Sequence, residues 1–157
     1  MLGLNYHIVC GDAYESTMRD LLQKCGMPNK KIHKGIKFIL QLRGVPIGCV
    51  RIILSRDYRS VLLASLCVLP EFRGTGSGKY MMEYVHHWCR KAGVQTIYLA
   101  AVDKAVEFYH KLDYCDIALD AKVPYEFIKP MTKIFEEYNS GQYEYKITKY
   151  MLRDLSE

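Results

Sequence analysis

Three glycines at alternate positions, Gly74, Gly76 and Gly78, follow Arg73 in the stretch VLPEFRGTGSGKYMMEYV, residues 68–85. Glycine at every second position lets backbone approach a ligand closely and present successive N–H groups. An apolar run precedes the glycines and an amphipathic one follows. The loop therefore leads from a strand into a helix start, where partial positive charge favours an anion. Arg73 adds a planar fork of donors suited to phosphate oxygens. These residue types and spacings describe a diphosphate cradle that needs no magnesium. Two other nucleotide loops do not fit. A Walker A loop has glycine where Arg73 stands and a magnesium-binding hydroxyl where Tyr80 stands. A Rossmann GxGxxG needs glycine at 79 or 81, which are Lys and Met.

The rest of the composition is consistent with a small anionic ligand. A chain of 157 residues, half hydrophobic and a quarter charged, predicts one globular domain, 1–157. The net charge of +5 suits an acidic substrate or a polyphosphate. No dense Lys/Arg run or aromatic RNA-binding motif points to nucleic acid. No apolar run reaches the ~20 residues of a membrane span, and the N-terminus MLGLNYHIVCGD does not read as a signal peptide. The six cysteines form no CxxC and no zinc spacing, so no metal site is expected. They read as reduced thiols, several of them core, in a cytoplasmic or nuclear protein.

The elements that must position the loop follow from periodicity. YHIVC (6–10) is a strand, and DAYESTMRDLLQKCG (12–26) a helix with Asp12 as cap, Glu15 completing a capping box and Gly26 ending it. IKFILQLRG and VPIGCVRIILSR form a hairpin about Gly44–Pro46, and VLLASLCVLP (61–70) is a central strand buried on both faces. The helix after the glycines turns Met81, Val85, Trp88 and Ala92 to one face and ends at Gly93. A strand VQTIYLAAV, a short helix over 103–114 capped by Asp103, and a final strand KITKYMLRDL complete the chain. Strand, helix, strands, helix, strand, helix, strand predicts a mixed α/β sandwich with helices on both faces.

VLPEFRGTGSGKYMM resembles the cofactor signature of the Gcn5-related N-acetyltransferases (GNAT), which bind acetyl-CoA. VDKAVEFYHKLDY resembles their second signature, with Ala105, Phe108, Tyr109, Leu112 and Tyr114 matching, Asp103 in place of the common Asn and Asp113 in place of the common Gly. Over residues 45–114 the chain is also similar to the actin N-terminal acetyltransferase branch, which acetylates an acidic processed N-terminus.

The resemblance implies a mostly antiparallel sheet splayed at two parallel strands, with acetyl-CoA as cosubstrate. It implies that backbone groups of Leu66, Cys67 and Val68 pair with the pantetheine. The segment Arg73, Gly74, Thr75, Gly76, Ser77, Gly78, Lys79 would hold the pyrophosphate, and Asp103 and Tyr109 would also meet the cofactor. It implies Tyr109 as the acid that protonates the departing thiolate. The general base is not legible, because VLLASLCV carries no titratable group except Cys67. Tyr98 stands where some relatives carry His and is a candidate base or a positioner of water or substrate. An unperturbed phenol, titrating near ~10, is a poor base at neutral pH. His86 and His87 read as surface and boundary residues, and His110 as facing solvent. Lys30, Lys31, Lys34 and Arg51, with Lys122 and Lys129, are candidates for binding an acidic N-terminus. Alternatives are an acetyltransferase for a small amine or a protein lysine, and a non-catalytic CoA-binding interaction module.

Overall fold

The computed structural model describes residues 5–156. Seven strands form one sheet in the order β1-β2-β3-β4-β5-β7-β6. They are β1 (Tyr6–Cys10), β2 (Ile36–Leu42), β3 (Val45–Leu54), β4 (Ser60–Val68), β5 (Thr96–Val102), β6 (Cys115–Ile117) and β7 (Ile147–Asp154). The four helices are α1 (Glu15–Lys24), α2 (Ser77–Ala92), α3 (Val106–His110) and α4 (Tyr125–Tyr138). The predicted α/β class is present, and the predicted elements occur in their order with β6 and α4 in addition. The chain divides into two compact units, one of the described residues through Ile53 with Ala64–Trp88, the other of Leu54–Leu63 with Cys89 onward.

In the first unit β1, β2 and β3 are antiparallel. Successive strand residues face opposite ways, and β2 shows what this achieves. Ile39 joins a buried cluster with Met18, Leu21 and Leu22 of α1, together with Cys25, Ile32, Cys49 and Cys67. Its neighbour Phe38 meets the rings of Tyr84 and Trp88 in α2, at centroid distances of 5.9 and 5.8 Å. Helices α1 and α2 therefore cover opposite faces, as predicted. The α2 face differs in detail: Met81, Met82, Val85, His86 and Cys89 are buried, while Ala92 is exposed. His86 lies on the same helical stripe as Met82 and Cys89, so the surface assignment for it is overturned.

The predicted capping box at α1 does not form. A 3-10 turn at Asp12–Tyr14 precedes the helix, and no side chain caps it. Asp12 and Glu15 instead face the fully buried ammonium of Lys37 in β2, at 3.1 and 3.7 Å. A buried charge must be paired, and Lys37 also donates to the carbonyls of His33 and Gly35 at 2.9 and 3.4 Å.

In the second unit the start of β4 pairs in parallel with β5, in register from Ser60–Thr96 to Leu63–Leu99. Strand β7 is antiparallel to both β5 and β6. The segment 119–145, between β6 and β7, contains α4. It packs Phe127 against Tyr98 of β5, with ring centroids 6.1 Å apart. Asp103 does not cap α3 through its side chain; it sits in a 3-10 turn and accepts from the Lys104 N–H. At the other end of α3, Asp113 adopts a φ of 67°, and the Tyr114 N–H bonds back to Tyr109 O at 3.1 Å. That left-handed closing residue is where glycine is most at ease. The substituted Asp tolerates it better than most side chains, so the signature departs in residue while keeping its geometry.

Candidate functional site

Strand β4 does not run straight into the glycine loop. Ser65 has a left-handed φ of 59°, which is costly for a residue with a side chain and breaks the strand's regularity. Two neighbours hold it: Cys49 Sγ donates to its carbonyl at 3.3 Å and Arg51 Nε to its hydroxyl at 3.3 Å. Beyond it, a Cβ on Gly48 would come 2.8 Å from the Cys67 carbonyl oxygen, and the Leu69 N–H donates to Ile47 O at 2.8 Å. The odd-numbered residues at this end thus direct their backbone groups at β3. Strand alternation turns the backbone of Leu66 and Val68 away from β3. The Val68 carbonyl accepts from Arg73 Nε at 2.9 Å and from Cys25 Sγ at 3.5 Å. Arg73 therefore buttresses the strand end from which its own loop springs.

The loop itself is built as its composition predicts. Gly74 and Gly76 have φ of 76° and 86°, and a Cβ on either would meet no protein atom within 4 Å. The glycines are needed for backbone conformation, and the space beside them is open to a ligand. The first bond of α2 joins the Tyr80 N–H to Gly76 O at 2.9 Å, so the N–H groups of Ser77, Gly78 and Lys79 precede the helical ladder. Thr75 and Lys79 are exposed and Ser77 is buried. Together these residues form a concave run of amides at the positive end of a 16-residue helix. Its donor set fits a diphosphate.

The basic candidates of this unit divide. Lys30, Lys31 and Lys34 are exposed on the connection between α1 and β2. Arg51 is buried, and its Nη1 donates to the Lys34 carbonyl at 3.0 Å. Burial also pulls its pKa below the ordinary guanidinium value. Arg51, expected to meet an acceptor, donates from Nε to Ser65 and from Nη1 to the Lys34 carbonyl and so clamps backbone inside the fold. With Lys37 on His33 O and Gly35 O, three consecutive carbonyls are held by two buried cations. Gly35 is confined as well: its φ is 90°, and a Cβ would fall 2.5 Å from Ile52 O.

In the second unit Tyr109 is buried in α3 between the rings of Phe108 and Tyr114, at 5.3 and 5.5 Å. Burial pushes its phenol well above the usual tyrosine range. Tyr98 is also buried, and its hydroxyl donates to Lys122 O at 3.4 Å. Burial, with the nearby Asp154 carboxylate, raises its pKa too. Both phenols are thus kept protonated at neutral pH. Lys122, Lys129 and Asp103 are exposed. His110 does not simply face water: its Nε2 lies 2.8 Å from Asp116 Oδ1, its Nδ1 3.5 Å from Glu107 Oε1, and Lys149 Nζ lies 3.3 Å from the other Asp116 oxygen. Among the described residues no group of three His, Cys, Asp or Glu side chains could hold a metal ion, and no helix is long and apolar enough to cross a membrane. Sequence reasoning missed Tyr6, whose hydroxyl reaches Ser77 at 2.8 Å. An isolated tyrosine in a short strand carries no motif that would reveal it.

The chain is 26% identical over 76 residues to the uncharacterized N-acetyltransferase CgeE of Bacillus subtilis (strain 168), covering 47% of this chain and 29% of that one. Its fold is similar to N-acetylglutamate synthase from Neisseria gonorrhoeae, solved with coenzyme A and L-arginine (TM-score 0.74, 13% identity, 97% of this chain and 34% of that chain). It is similar also to Ard1 from Thermoplasma volcanium (TM-score 0.68, 14% identity, 95% of this chain and 97% of that one). The chain thus spans about a third of the length of the first two. Residues 7–114 match the sequence model of the Acetyltransferase (GNAT) family, a span that takes in the β4–α2 cradle and the Tyr109 helix; the chain belongs to that family.

Proposed function

We propose that this chain is an acetyl-CoA-dependent N-acetyltransferase whose acceptor is the α-amino group of an acidic protein N-terminus. The observation that carries the first half is the open cradle at Gly74 and Gly76 ahead of α2. The amides of residues 74–79 bind the pyrophosphate, and the backbone of the β4 end, Leu66, Cys67 and Val68, lines the pantetheine. Acetyl-CoA supplies an electrophilic thioester carbonyl, which the neutral acceptor amine attacks directly. Tyr109 donates a hydrogen bond, then a proton, to the departing thiolate, a role that requires the protonated phenol that burial enforces. Tyr98, its hydroxyl on the Lys122 carbonyl and held protonated, orients the substrate and the water through which the proton lost by the attacking amine leaves to solvent, and does not itself act as the base.

The second half rests on Lys30, Lys31 and Lys34, three exposed ammonium groups on a connection whose backbone is clamped by Lys37 and Arg51. A fixed cluster of one sign attracts an acidic peptide over roughly the ~8 Å screening length at physiological salt. The similarity to the actin N-terminal acetyltransferase branch points to the same substrate class. The test is a panel of acceptors assayed for kcat/KM: peptides beginning with Asp or Glu, peptides beginning with Ser or Ala, peptides with an internal lysine, and free amino acids. Acidic N-termini should lead, the lead should shrink as salt rises, and changing Lys30, Lys31 and Lys34 to Glu should invert it. Preference for neutral N-termini, lysine or a free amino acid at low salt refutes the acceptor. CoA binding with no turnover on any acceptor refutes the enzyme.

A further inference from the structure

The cradle is braced by a chain of hydroxyls that begins on β1, one residue before the span shared with the family. Tyr6 OH lies 2.8 Å from Ser77 Oγ, Ser77 Oγ lies 2.9 Å from Thr75 Oγ1, and Thr75 Oγ1 donates to the Phe72 carbonyl. Each hydroxyl has a single proton, and this fixes the direction of the whole chain. Thr75 spends its proton on a carbonyl, which can only accept, so toward Ser77 it must accept. Ser77 then spends its own proton on Thr75. Tyr6 must therefore donate to Ser77. The Tyr6 ring also lies against Tyr80, one turn along α2, with centroids 4.8 Å apart.

Two consequences follow for the loop. The hydroxyl protons of Thr75 and Ser77 point inward and are consumed, so neither side chain is a donor to a phosphate. Their contribution is to hold the loop's amides, which are the donors, in one arrangement. We propose that Tyr6 is a positioning residue for cofactor binding: through the ordered chain Tyr6–Ser77–Thr75–Phe72 it pre-organises the diphosphate-binding amides. The proposal rests on the acetyl-CoA reading above. It adds a determinant of CoA affinity from a residue just outside the matched span.

The mechanism is pre-organisation. A loop already in its bound conformation does not lose conformational freedom when the ligand arrives. Tyr6→Phe keeps the ring, its contact with Tyr80 and the β1 register, and removes only the terminal proton donor. Ser77 Oγ then lacks its incoming bond, and the Kd for CoA should rise about three- to tenfold (~0.7–1.4 kcal/mol, the scale of one hydrogen bond). Thr75→Val, which cuts the last link, should act in the same direction, and Thr75→Ser should restore it.

The experiment measures CoA binding by calorimetry in wild type and Tyr6→Phe, and donor kcat/KM with acetyl-CoA and with S-acetylpantetheine, which has no diphosphate. The expected result is a weaker Kd for CoA, a matching loss of kcat/KM for acetyl-CoA, no loss for S-acetylpantetheine, and an unchanged KM for the acceptor. A purely structural bond would lower the melting temperature of Tyr6→Phe and leave the CoA Kd unchanged at 25 °C, which overturns the proposal. Equal losses with both donors overturn it as well. A wild-type chain that binds no CoA fails the acetyl-CoA reading itself, and is told apart because the failure appears before any substitution.

Discussion

Replacing Lys37 by Met tests the clamp on the basic connection. Met has nearly the same length and no charge, so packing around the stem is kept and only the ammonium is lost. Removing one partner of a buried ion pair costs about 3–5 kcal/mol when the other charge stays buried. Here the other side hydrates easily, because the Asp12 side chain is 87% exposed, and an exposed carboxylate contributes about 0–1 kcal/mol at most. The larger loss is the pair of bonds to His33 O and Gly35 O, partly offset because no cation need then be desolvated. The expected destabilisation is about 1–3 kcal/mol. Urea unfolding followed by the single tryptophan, Trp88, which packs on the neighbouring Phe38, reads it directly. The midpoint should fall with an unchanged slope. The same variant should lose part of its preference for acidic over neutral peptides, with an unchanged Kd for CoA. A midpoint that stays or rises would refute the reasoning, since the buried cation would then be no net anchor.

Three further outcomes are expected. Acetyl-CoA should raise the melting temperature by mass action whereas ATP with magnesium should not, and Arg73→Glu should abolish the protection by placing a negative charge at the cradle; equal protection by ATP in a thermal-shift assay counts against the assignment. Tyr109→Phe should lower kcat by about one to two orders of magnitude, within or just below the ~10²–10⁴-fold range of general acid–base groups, with little change in CoA affinity, as read by steady-state kinetics and calorimetry. The Asp116 carboxylate holds the His110 pKa above its ordinary value near ~6.5, and Glu107 adds to this. A raised folded pKa means that the stabilisation is full below pH ~6.5 and is lost as pH rises through the folded value. The wild-type minus His110→Gln difference in unfolding midpoint should therefore shrink between neutral and alkaline pH, and a flat difference would remove His110 from the account.

Some of this molecule was legible and some was not, for physical reasons. The cradle could be read because its determinants are local: left-handed glycines, a helix start and an adjacent Arg lie within seven residues. The capping box failed because Lys37, some 22 residues beyond Glu15, competes for the same carboxylates, and no local window contains that competitor. Helix α4 was hidden by Pro130, which stands inside it and reads as a breaker. Phe127, Met131 and Tyr138 nevertheless keep helical spacing on its buried side. Strand β6 has three residues, too few for a period to show. The burial of His86 was recoverable, since 82, 86 and 89 follow helical spacing; the polar residue type was given too much weight. Arg51 was read by its charge alone, whereas its role follows from a strained Ser65 on the next strand and a carbonyl 17 residues upstream.

The placement of the six thiols makes the protein its own reporter of breathing. Cys10 and Cys115 are exposed, whereas Cys25, Cys49, Cys67 and Cys89 are buried. Hydrogen bonding to Cys67, with burial, raises the Cys25 thiol, and burial pushes that of Cys89 up to about 12. Thiolates react and thiols do not, so an alkylating reagent takes the two exposed positions at once and the others only when the structure opens. Three of the protected thiols, Cys25, Cys49 and Cys67, belong to the unit that holds the cradle, and the fourth, Cys89, to the unit that holds Tyr109. Labelling followed by peptide mass mapping therefore reads the opening free energy of each unit separately, without an introduced probe. Bound CoA should slow labelling of the first set in proportion to its occupancy.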